Sequence, residues 1–315
     1  MQPGRRAFLK WSAMTAASLA ALPKPATAKV VNGIPYRTLG KVGVEVSILG
    51  VGGGHIGSNI SEVDAIHLMR AAVDEGINFF DNAWEYSRGA SEERMGKALK
   101  DGYRDKVFLM TKVLARSAEG AQQQLETSLR RLGVDYIDLW QIHSVGTFGP
   151  DDKERVYTKG VLDVARRAKE FGKVKHLGFT GHVDPAIHEA VLEGGFEWET
   201  VQMPINCLDP HRLSFIQNII PKAREKGLGI IAMKTLAGGG VLKTGAVQPA
   251  EALRFAMSMP VSVVVSGMNT FAEFQHNLAV AKSFAPMAET EIAALLDRTK
   301  TFGAEFEYEG YKRKA

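Results

Sequence analysis

The sequence predicts an α/β fold in which eight parallel strands close into a (β/α)8 TIM barrel. Eight short apolar segments alternate with eight helical segments between residues 48 and 283, and this alternation is typical of a parallel sheet covered by helices. Apolar spacing places Ile66, Met69 and Val73 on one face of a predicted helix. Several helical segments also end at glycines, where a left-handed cap requires no side chain. These features favour one barrel without a second domain.

The predicted strands are short runs of apolar, β-branched or aromatic residues. They cover residues 48–51, 78–80, 107–111, 138–142, 174–179, 200–203, 229–233 and 261–265. The predicted helices cover residues 61–75, 92–100, 118–131, 161–171, 185–192, 211–226, 250–257 and 271–283. A hairpin of residues 36–39 and 44–47 precedes the barrel, and an extra helix at 289–301 follows it. The chain is therefore divided into an N-terminal signal (1–28), the barrel (29–302) and a C-terminal tail (303–315).

Residues 1–28 have the composition of an export signal. They contain four basic residues and no acidic residue, which accounts for the whole formal charge of +4 of the chain. The run Gly4-Arg5-Arg6-Ala7-Phe8-Leu9-Lys10 resembles a twin-arginine signal, and an apolar stretch and the cleavage motif Ala26-Thr27-Ala28 follow it. We expect export by the twin-arginine machinery to the periplasm. An uncleaved anchor and a frayed basic terminus are the alternatives.

The remaining composition argues against several classes of protein. Without residues 1–28 the chain is electrically neutral, and no basic stripe is interleaved with aromatic residues, so nucleic-acid binding is not expected. No stretch after residue 28 is long and apolar enough to span a membrane. Cys207 is the only cysteine, which rules out an intramolecular disulfide and a metal or iron–sulfur site built on cysteines. We expect Cys207 to be a packed thiol.

Ionisable side chains close three successive predicted strands. Asp81 follows the second strand, Lys112 ends the third and His143 ends the fourth, while Tyr86 lies in the loop after Asp81. The active site of such a barrel lies at the carboxyl ends of its strands. Because a buried carboxylate is costly unless it is paired, we expect Asp81 to pair with Lys112. A purely structural ion pair is the alternative, which the presence of Tyr86 and His143 disfavours.

The four residues fit general acid–base catalysis on a carbonyl group. The ammonium of Lys112 is expected to lower the pKa of Tyr86, so that Tyr86 exchanges a proton with a carbonyl oxygen. His143 is expected to donate a hydrogen bond to the same oxygen. The sequence contains no metal-ligand cluster, and no metal is expected. The partner step is most simply a hydride transfer, which requires a nicotinamide cofactor.

These residues resemble the catalytic tetrad of the aldo-keto reductase family. The matching motifs are Phe80-Asp81-Asn82-Ala83-x-x-Tyr86, Thr111-Lys112 and Asp138-Leu139-x-x-x-His143. The resemblance implies that Tyr86 is the general acid, that Lys112 and Asp81 tune it, and that His143 orients a small carbonyl or alcohol substrate. The segment Met233-Lys234-Thr235-Leu236-Ala237-Gly238-Gly239 resembles a bacterial branch of the family of which some members carry a C-terminal iron–sulfur domain, and this single-cysteine chain lacks that domain.

The resemblance also implies residues that bind NADP(H) or NAD(H). Thr180 and Gln202 match positions that hold the nicotinamide carboxamide, although the usual Gly-x-Ser-Asn run is Gly-Phe-Thr-Gly here, followed by His182. Met233 replaces an aromatic residue that often stacks on the nicotinamide, and Lys234 is expected near the pyrophosphate. The other implied cofactor contacts are Gly53, Asp81, Leu236, Gly238, Gly267, Glu273 and Asn277.

The loop after the eighth strand leaves the choice between the two cofactors open. Relatives that prefer NADP place a basic residue against the 2′-phosphate, whereas this chain offers Gly267, Met268 and Glu273. An acidic residue repels a phosphate but can accept a hydrogen bond from a ribose hydroxyl. NAD(H) is therefore a serious alternative to NADP(H).

A glycine motif offers a competing interpretation. The motif Gly52-x-Gly54-x-x-Gly57 matches the fingerprint of a Rossmann fold, and Asp81 follows at nearly the expected distance. Such a motif should enter a helix directly, but residues 58–60 intervene before Ser61. We interpret these glycines as a close backbone approach at the barrel mouth.

The substrate pocket is expected to include His55, Trp84 and His143. A non-catalytic nucleotide-binding protein on the same fold is the alternative function, as the potassium-channel β-subunit relatives of the family illustrate. The complete set of Asp81, Tyr86, Lys112 and His143 favours the enzyme.

Overall fold

The computed structural model describes residues 26–313, which form eleven strands and twelve α-helices. The strands are β1 Lys29–Val31, β2 Ile34–Thr38, β3 Glu45–Ser47, β4 Leu49–Gly52, β5 Phe79–Asp81, β6 Phe108–Val113, β7 Ile137–Val145, β8 Val174–Gly181, β9 Thr200–Pro204, β10 Gly229–Met233 and β11 Val263–Gly267. The helices are α1 Glu62–Asp74, α2 Ala90–Ala98, α3 Ala118–Leu132, α4 Asp152–Thr158, α5 Val161–Glu170, α6 Pro185–Glu193, α7 Phe215–Asn218, α8 Ile220–Glu225, α9 Gly240–Lys243, α10 Pro249–Ser258, α11 Phe271–Lys282 and α12 Glu289–Gly303. The twin-arginine motif lies outside the described residues.

Strands β4 to β11 form a closed barrel in which chain neighbours are also spatial neighbours, and β11 pairs with β4. All these pairings are parallel. The predicted (β/α)8 barrel is therefore confirmed, and each predicted strand overlaps an observed one. Because the strands run in one direction, the residues at their carboxyl ends gather at one rim.

An antiparallel sheet of β1, β2 and β3 covers the opposite end of the barrel. Leu39 and Val46 pack in the barrel interior with Phe79, near the amino end of β5. Gly40 has a φ of 45°, and a Cβ at this position would lie 2.2 Å from the backbone nitrogen of Gly229. Only glycine fits this close approach. The sheet contains the predicted hairpin and one strand more.

The single helix predicted at 211–226 is wrong in its organisation. The region contains a 3₁₀ turn at Asp209–His211 and then the separate helices α7 and α8. Leu213 has a φ of 42°, which a helix cannot accommodate. Pro221 lies in the first turn of α8, where its missing N–H is tolerated but where it cannot continue a preceding helix. The short helices α4 and α9 were not predicted.

The C-terminal tail returns to the barrel through buried polar contacts. Lys312 is 1% exposed, and its Nζ pairs with Oδ1 of Asp209 at 2.7 Å and Oε2 of Glu309 at 2.8 Å. The Tyr311 hydroxyl accepts a hydrogen bond from Nδ2 of Asn206 at 3.0 Å. Because Asn206 and Asp209 follow β9, the tail is fixed beside the barrel mouth.

Candidate active site

The predicted tetrad converges at the carboxyl-terminal rim of the barrel. Asp81 ends β5, Lys112 lies near the end of β6, His143 lies in β7, and Tyr86 begins a 3₁₀ turn after β5. Nζ of Lys112 contacts Oδ1 of Asp81 and donates a hydrogen bond to the Tyr86 hydroxyl at 3.2 Å. The rings of Tyr86 and His143 meet edge to face, with centroids 5.9 Å apart. The four side chains therefore form one cluster.

The pKa of Tyr86 differs from the prediction. Burial raises the pKa of Tyr86, Lys112 lowers it in part, and the charge of Asp81 raises it again, so that the net pKa lies above the ordinary value of tyrosine. Lys112 lowers this pKa as expected, but burial, which disfavours a phenolate, together with the charge of Asp81 has the larger, opposite effect. Tyr86 is therefore a protonated phenol at neutral pH, which is the form of a proton donor.

Asp81 and Lys112 form a fully satisfied buried pair. Burial lowers the pKa of Lys112, but Asp81 and Tyr86 raise it further, so Lys112 remains an ammonium. Its Nζ also donates to the carbonyl oxygen of Asn82 at 2.8 Å. The second oxygen of Asp81 accepts a hydrogen bond from Nε2 of Gln202 at 2.7 Å. This network fixes the lysine below the phenol and leaves little freedom to reorient.

Glu85 is a site residue that the sequence analysis missed. Its Oε1 contacts Nδ1 of His143. Burial lowers the pKa of His143, and Glu85 offsets only part of this effect. Burial raises the pKa of Glu85, but His143 more than compensates, so this pKa is also lowered. At neutral pH the pair is therefore a carboxylate and a largely neutral imidazole. The sequence signal that could have identified Glu85 was its position as an acid directly before Tyr86.

Arg116 is a second residue that the sequence analysis missed. Its guanidinium forms a two-bond ion pair with Asp152, with Nε and Nη2 at 2.8 and 2.9 Å from the two carboxylate oxygens. It also donates to the backbone carbonyls of His143 at 2.8 Å and Ser144 at 3.3 Å. Arg116 therefore fixes the backbone at His143. A contact across 36 residues of sequence gives no local pattern to read.

Several buried polar atoms around the tetrad have no hydrogen-bond partner among the described residues, and two of them lie on neighbouring strands. These two are Oγ1 of Thr180 and Oε1 of Gln202, and these residues are directly paired between β8 and β9. A buried polar group without a hydrogen bond costs about 1–3 kcal/mol. A carboxamide would satisfy both, since its amide donates to Gln202 and its oxygen accepts from Thr180. The residues present thus fit the predicted nicotinamide.

The turn after β10 provides a cationic, open surface. Burial and the charge of Lys112 lower the pKa of Lys234, which forms no ion pair with any residue in the range 26–313. Its Nζ lies 5.1 Å from the Tyr311 ring centroid. At Gly238 the φ is 65°, and a Cβ would meet no atom within 4 Å. Met233, half-buried, precedes this turn. The surface fits an anion such as a pyrophosphate.

The loop after β11 is fixed by its own contacts. Oε2 of Glu273 accepts hydrogen bonds from the backbone nitrogen of Asn269 at 2.6 Å and from Nδ2 of Asn269 at 3.3 Å. Oδ1 of Asn269 lies 2.7 Å from Nδ1 of His55. The ring of His55 covers Gly267, where a Cβ would lie 2.4 Å from it. Glu273 therefore stabilises its loop instead of standing free, and His55 contacts both this loop and Asn59.

The glycine motif serves the close approach that we expected. At Gly53 a Cβ would lie 2.6 Å from the carbonyl oxygen of Asp81, and the Gly53 nitrogen donates to that oxygen at 2.7 Å. At Gly57 a Cβ would lie 2.4 Å from the Ser87 side chain. Helix α1 begins only after the Ser61 cap. The Rossmann interpretation is thereby excluded.

Other predicted residues lie around this centre. Trp84 is half-buried beneath the Arg131 guanidinium, which lies 5.5 Å from its ring centroid. Burial and the neighbouring Lys234 lower the pKa of His182 to about 3, so this imidazole is neutral. Leu236 packs against the hydrophobic core, and Nδ2 of Asn277 donates to Oγ of Ser266 at 3.1 Å.

Two further observations concern residues 26–313 as a whole. No group of three or more His, Cys, Asp or Glu side chains within this range is arranged to hold a metal ion. No helix within the same range has the length and apolar character needed to cross a membrane.

Burial raises the pKa of the Cys207 thiol to about 12, in agreement with a packed cysteine. A cavity of about 460 Å³ lies away from the rim and is lined mainly by α10, α11 and α12.

The chain is similar to proteins of known family. The model of the "Aldo/keto reductase family" matches residues 48–251. Aldo-keto reductase YhdN of Bacillus subtilis (strain 168) is 30% identical over 223 residues, which cover 65% of this chain and 62% of YhdN. L-galactose dehydrogenase of Arabidopsis thaliana is 30% identical over 227 residues, which cover 67% of this chain and 68% of that protein. The match to YhdN thus spans less than two thirds of that relative.

A solved structure shares the fold. Aldo-keto reductase AKR11C1 from Bacillus halodurans, in its holo form, superposes with a TM-score of 0.70 and 21% identity over 88% of this chain and 99% of the other. At that identity the likeness speaks for the barrel alone. The family match covers most of the described barrel, including every tetrad position. The chain therefore belongs to the aldo/keto reductase family.

Proposed function

We propose that this chain is an oxidoreductase that interconverts a small carbonyl compound and its alcohol with a nicotinamide cofactor. The observation that carries the proposal is the contact of the protonated Tyr86 hydroxyl with the buried Lys112–Asp81 pair at the barrel rim. A phenol held at a compensated ammonium is a proton donor that can lose and regain its proton. Family membership agrees with this chemistry.

The chain's own residues would carry the proton in this reaction. In the reductive direction, Tyr86 gives its hydroxyl proton to the carbonyl oxygen while that oxygen gains negative charge. Lys112 stabilises the resulting phenolate, and Asp81 prevents the ammonium from being uncompensated. His143 forms a hydrogen bond with the same oxygen and orients the substrate. In the oxidative direction the phenolate takes the proton back from the alcohol.

The cofactor would be held by the orphaned polar atoms and the cationic turn. Thr180 and Gln202 would bind the carboxamide of the nicotinamide, which supplies or accepts the hydride when bound. Lys234 and the glycines after it would meet the pyrophosphate. No Lys or Arg occurs at 267–277 to pair with a 2′-phosphate. This absence of a basic residue from the loop favours NAD(H), with NADP(H) as the alternative.

The site of action that we propose is the periplasm, reached through the twin-arginine pathway. The support is the order of the twin-arginine motif, the apolar stretch and the cleavage motif in residues 1–28. Free nicotinamide cofactor is scarce outside the cytoplasm, so the chain would fold around its cofactor before export and retain it. A retained cofactor must be recycled by oxidation of one substrate and reduction of another, and a sugar-like compound can serve as both.

The test is the nucleotide content of the exported protein. Protein purified from the exported fraction is denatured, and the supernatant is assayed for NAD(H) and NADP(H). We expect about one equivalent of nucleotide per chain, in the NAD(H) form. If the purified protein were empty but bound one nucleotide tightly in titration, only the retention of the cofactor during export would be contradicted, and the oxidoreductase proposal would stand. Binding of neither nucleotide would contradict the oxidoreductase, and binding without any turnover would favour the non-catalytic alternative.

A further inference from the structure

The loop that carries Tyr86 continues as a left-handed turn. Ser87, Arg88 and Gly89 follow Tyr86 with φ angles of 50°, 57° and 100°. This backbone conformation suits glycine but is unfavourable for Ser87 and Arg88, which carry a Cβ. Such a conformation persists where the surrounding structure imposes it. The position of the Tyr86 phenol therefore depends on the groups that hold this turn.

The Arg131 guanidinium, in the last turn of α3, contacts the chain on both sides of Tyr86. Its Nη1 donates a hydrogen bond to the carbonyl oxygen of Trp84 at 2.9 Å. After Tyr86, a Cβ on Gly89 would lie 2.3 Å from Cζ of Arg131, so the guanidinium packs directly against the end of the left-handed turn. The Arg131 side chain is 19% exposed. One partly buried side chain thus contacts both ends of the segment that carries the phenol.

Glu92 connects this guanidinium to strand β6. It lies in the first turn of α2 and is fully buried. Its Oε2 pairs with Nη1 of Arg131 at 3.2 Å, and its Oε1 accepts a hydrogen bond from Oγ1 of Thr111 at 2.7 Å. Thr111 directly precedes Lys112 in the chain. These contacts therefore join the strand end that carries Lys112 to the loop that carries the phenol.

The distance between the phenol and the ammonium is the quantity that these contacts control. Nζ of Lys112 donates to the Tyr86 hydroxyl at 3.2 Å, and a displacement of about 1 Å in a catalytic contact can reduce a rate about 100-fold. Glu92 and Arg131 belong to α2 and α3, which pack against each other outside the barrel. They can therefore act on the reaction only through the segments that they hold.

We propose that Arg131 and Glu92 are positioning residues that maintain the left-handed turn and thereby keep the Tyr86 phenol against Lys112. Without the guanidinium the turn relaxes, and the phenol moves away from the ammonium. As far as it concerns the reaction rate, the proposal rests on the proposed function, because it takes Tyr86 as the proton donor. The alternative is an ion pair that only joins α2 to α3.

The first test is the kinetics of Arg131→Met in the full-length protein, measured with whichever aldehyde, ketone or aldose the wild type reduces fastest. We expect kcat to fall about tenfold and the nucleotide Kd to stay unchanged, because Thr180 and Gln202 lie on β8 and β9. The value of kcat/KM should fall by the same factor in both directions, as the equilibrium constant requires. Arg131→Lys keeps a cation for Glu92 and should retain most of the activity.

The matched control is Arg130→Met, which removes an exposed arginine from the same turn of α3. It should leave kcat and the nucleotide Kd unchanged. If Arg131→Met and Arg130→Met had equal kcat values in an active protein, the proposal would be overturned.

A second substitution tests whether the conformation of the turn is the cause. Arg88→Gly removes the steric penalty of one left-handed residue, so the turn should hold better without the guanidinium. We expect Arg88→Gly to raise the kcat of Arg131→Met about fivefold. Arg88→Ala removes the same exposed side chain but keeps a Cβ, and it should restore nothing. Equal kcat values for the two double variants would show that the ion pair acts by another route and would refute the proposal.

Amide hydrogen exchange measures the same turn without turnover. The backbone nitrogens of Tyr86 and Arg88 donate to the carbonyl oxygens of Ala83 and Glu85 at 3.1 and 3.0 Å. In Arg131→Met we expect these two amides to exchange about tenfold faster, while strand amides keep their protection. Equal acceleration throughout the barrel would indicate a loss of global stability instead, and would overturn the proposal.

The exchange result also separates this proposal from the proposed function. An inactive wild type in which Arg131→Met still accelerates exchange in the turn would refute the oxidoreductase and leave the holding of the turn by Arg131 intact. An active wild type whose turn amides do not respond to Arg131→Met would refute the positioning role alone.

Discussion

Burial determines the protonation state of Tyr86. Lys112, whose proximity was inferred from the strand ends, lowers the pKa of Tyr86 as expected, but burial has the larger, opposite effect. Burial and the compensation of Lys112 by Asp81 keep this pKa above the ordinary value. Desolvation depends on side chains from distant segments, and sequence does not report it. The half-buried, protonated phenol agrees with the role of a proton donor.

Thr180 provides a test in which stability and binding change separately. Because its Oγ1 is buried without a described partner, Thr180→Val removes a desolvated hydroxyl at almost constant volume. We expect unchanged or slightly higher stability of the nucleotide-free protein and a nucleotide Kd that rises about tenfold. Urea unfolding and fluorescence titration measure the two quantities.

The matched control is Gln122→Leu on the exposed face of α3. It should leave both quantities unchanged. If Thr180→Val bound nucleotide as tightly as the wild type, the carboxamide would not lie against this hydroxyl.

At the scale of elements, the turn after β4 depends on the absence of a side chain at one position. A Cβ at Gly53 would lie 2.6 Å from the carbonyl oxygen of Asp81, whereas at Gly54 the nearest atom would be 4.0 Å away. We therefore expect Gly53→Ala to lower the free energy of unfolding by about 1–3 kcal/mol. Gly54→Ala should change it by no more than about 0.5 kcal/mol. Equal midpoints in urea for the two variants would show that β4 and β5 can separate freely.

The C-terminal tail depends on one buried cation. Lys312→Met would leave Asp209 and Glu309 buried without their ammonium. Breaking a buried ion pair by removing one partner costs about 3–5 kcal/mol. We expect either this loss of global stability or, if the tail opens locally, rapid amide exchange at residues 304–313. The exposed neighbour Arg313→Met is the control. If Lys312→Met showed neither the loss of stability nor the rapid exchange, the anchoring of the tail by this lysine would be contradicted.

At the scale of the whole molecule, the barrel was predictable because each strand and helix has its own local pattern. Glycine caps, apolar periodicity and alternation together led to the closed sheet, and the same strand ends led to the tetrad. The region 211–226 was misread because the backbone conformation of Leu213 interrupts it and because the Asp209 carboxylate accepts a hydrogen bond from the backbone nitrogen of Phe215, where a separate helix begins. Glu85 and Arg116 were missed for a different reason. Their partners are distant in sequence, so no spacing identifies them.

The most direct test of the central claim is the turnover of Tyr86→Phe, measured with nucleotide binding in the same protein. A panel of aldehydes, ketones and aldoses, with the corresponding alcohols, is assayed with NAD(H) and NADP(H). Removal of the hydroxyl deletes the proton donor but leaves Lys112, Asp81, Thr180 and Gln202 in place. We predict a fall in kcat of about 100-fold or more, with an unchanged nucleotide Kd. Turnover by Tyr86→Phe equal to that of the wild type would contradict the account.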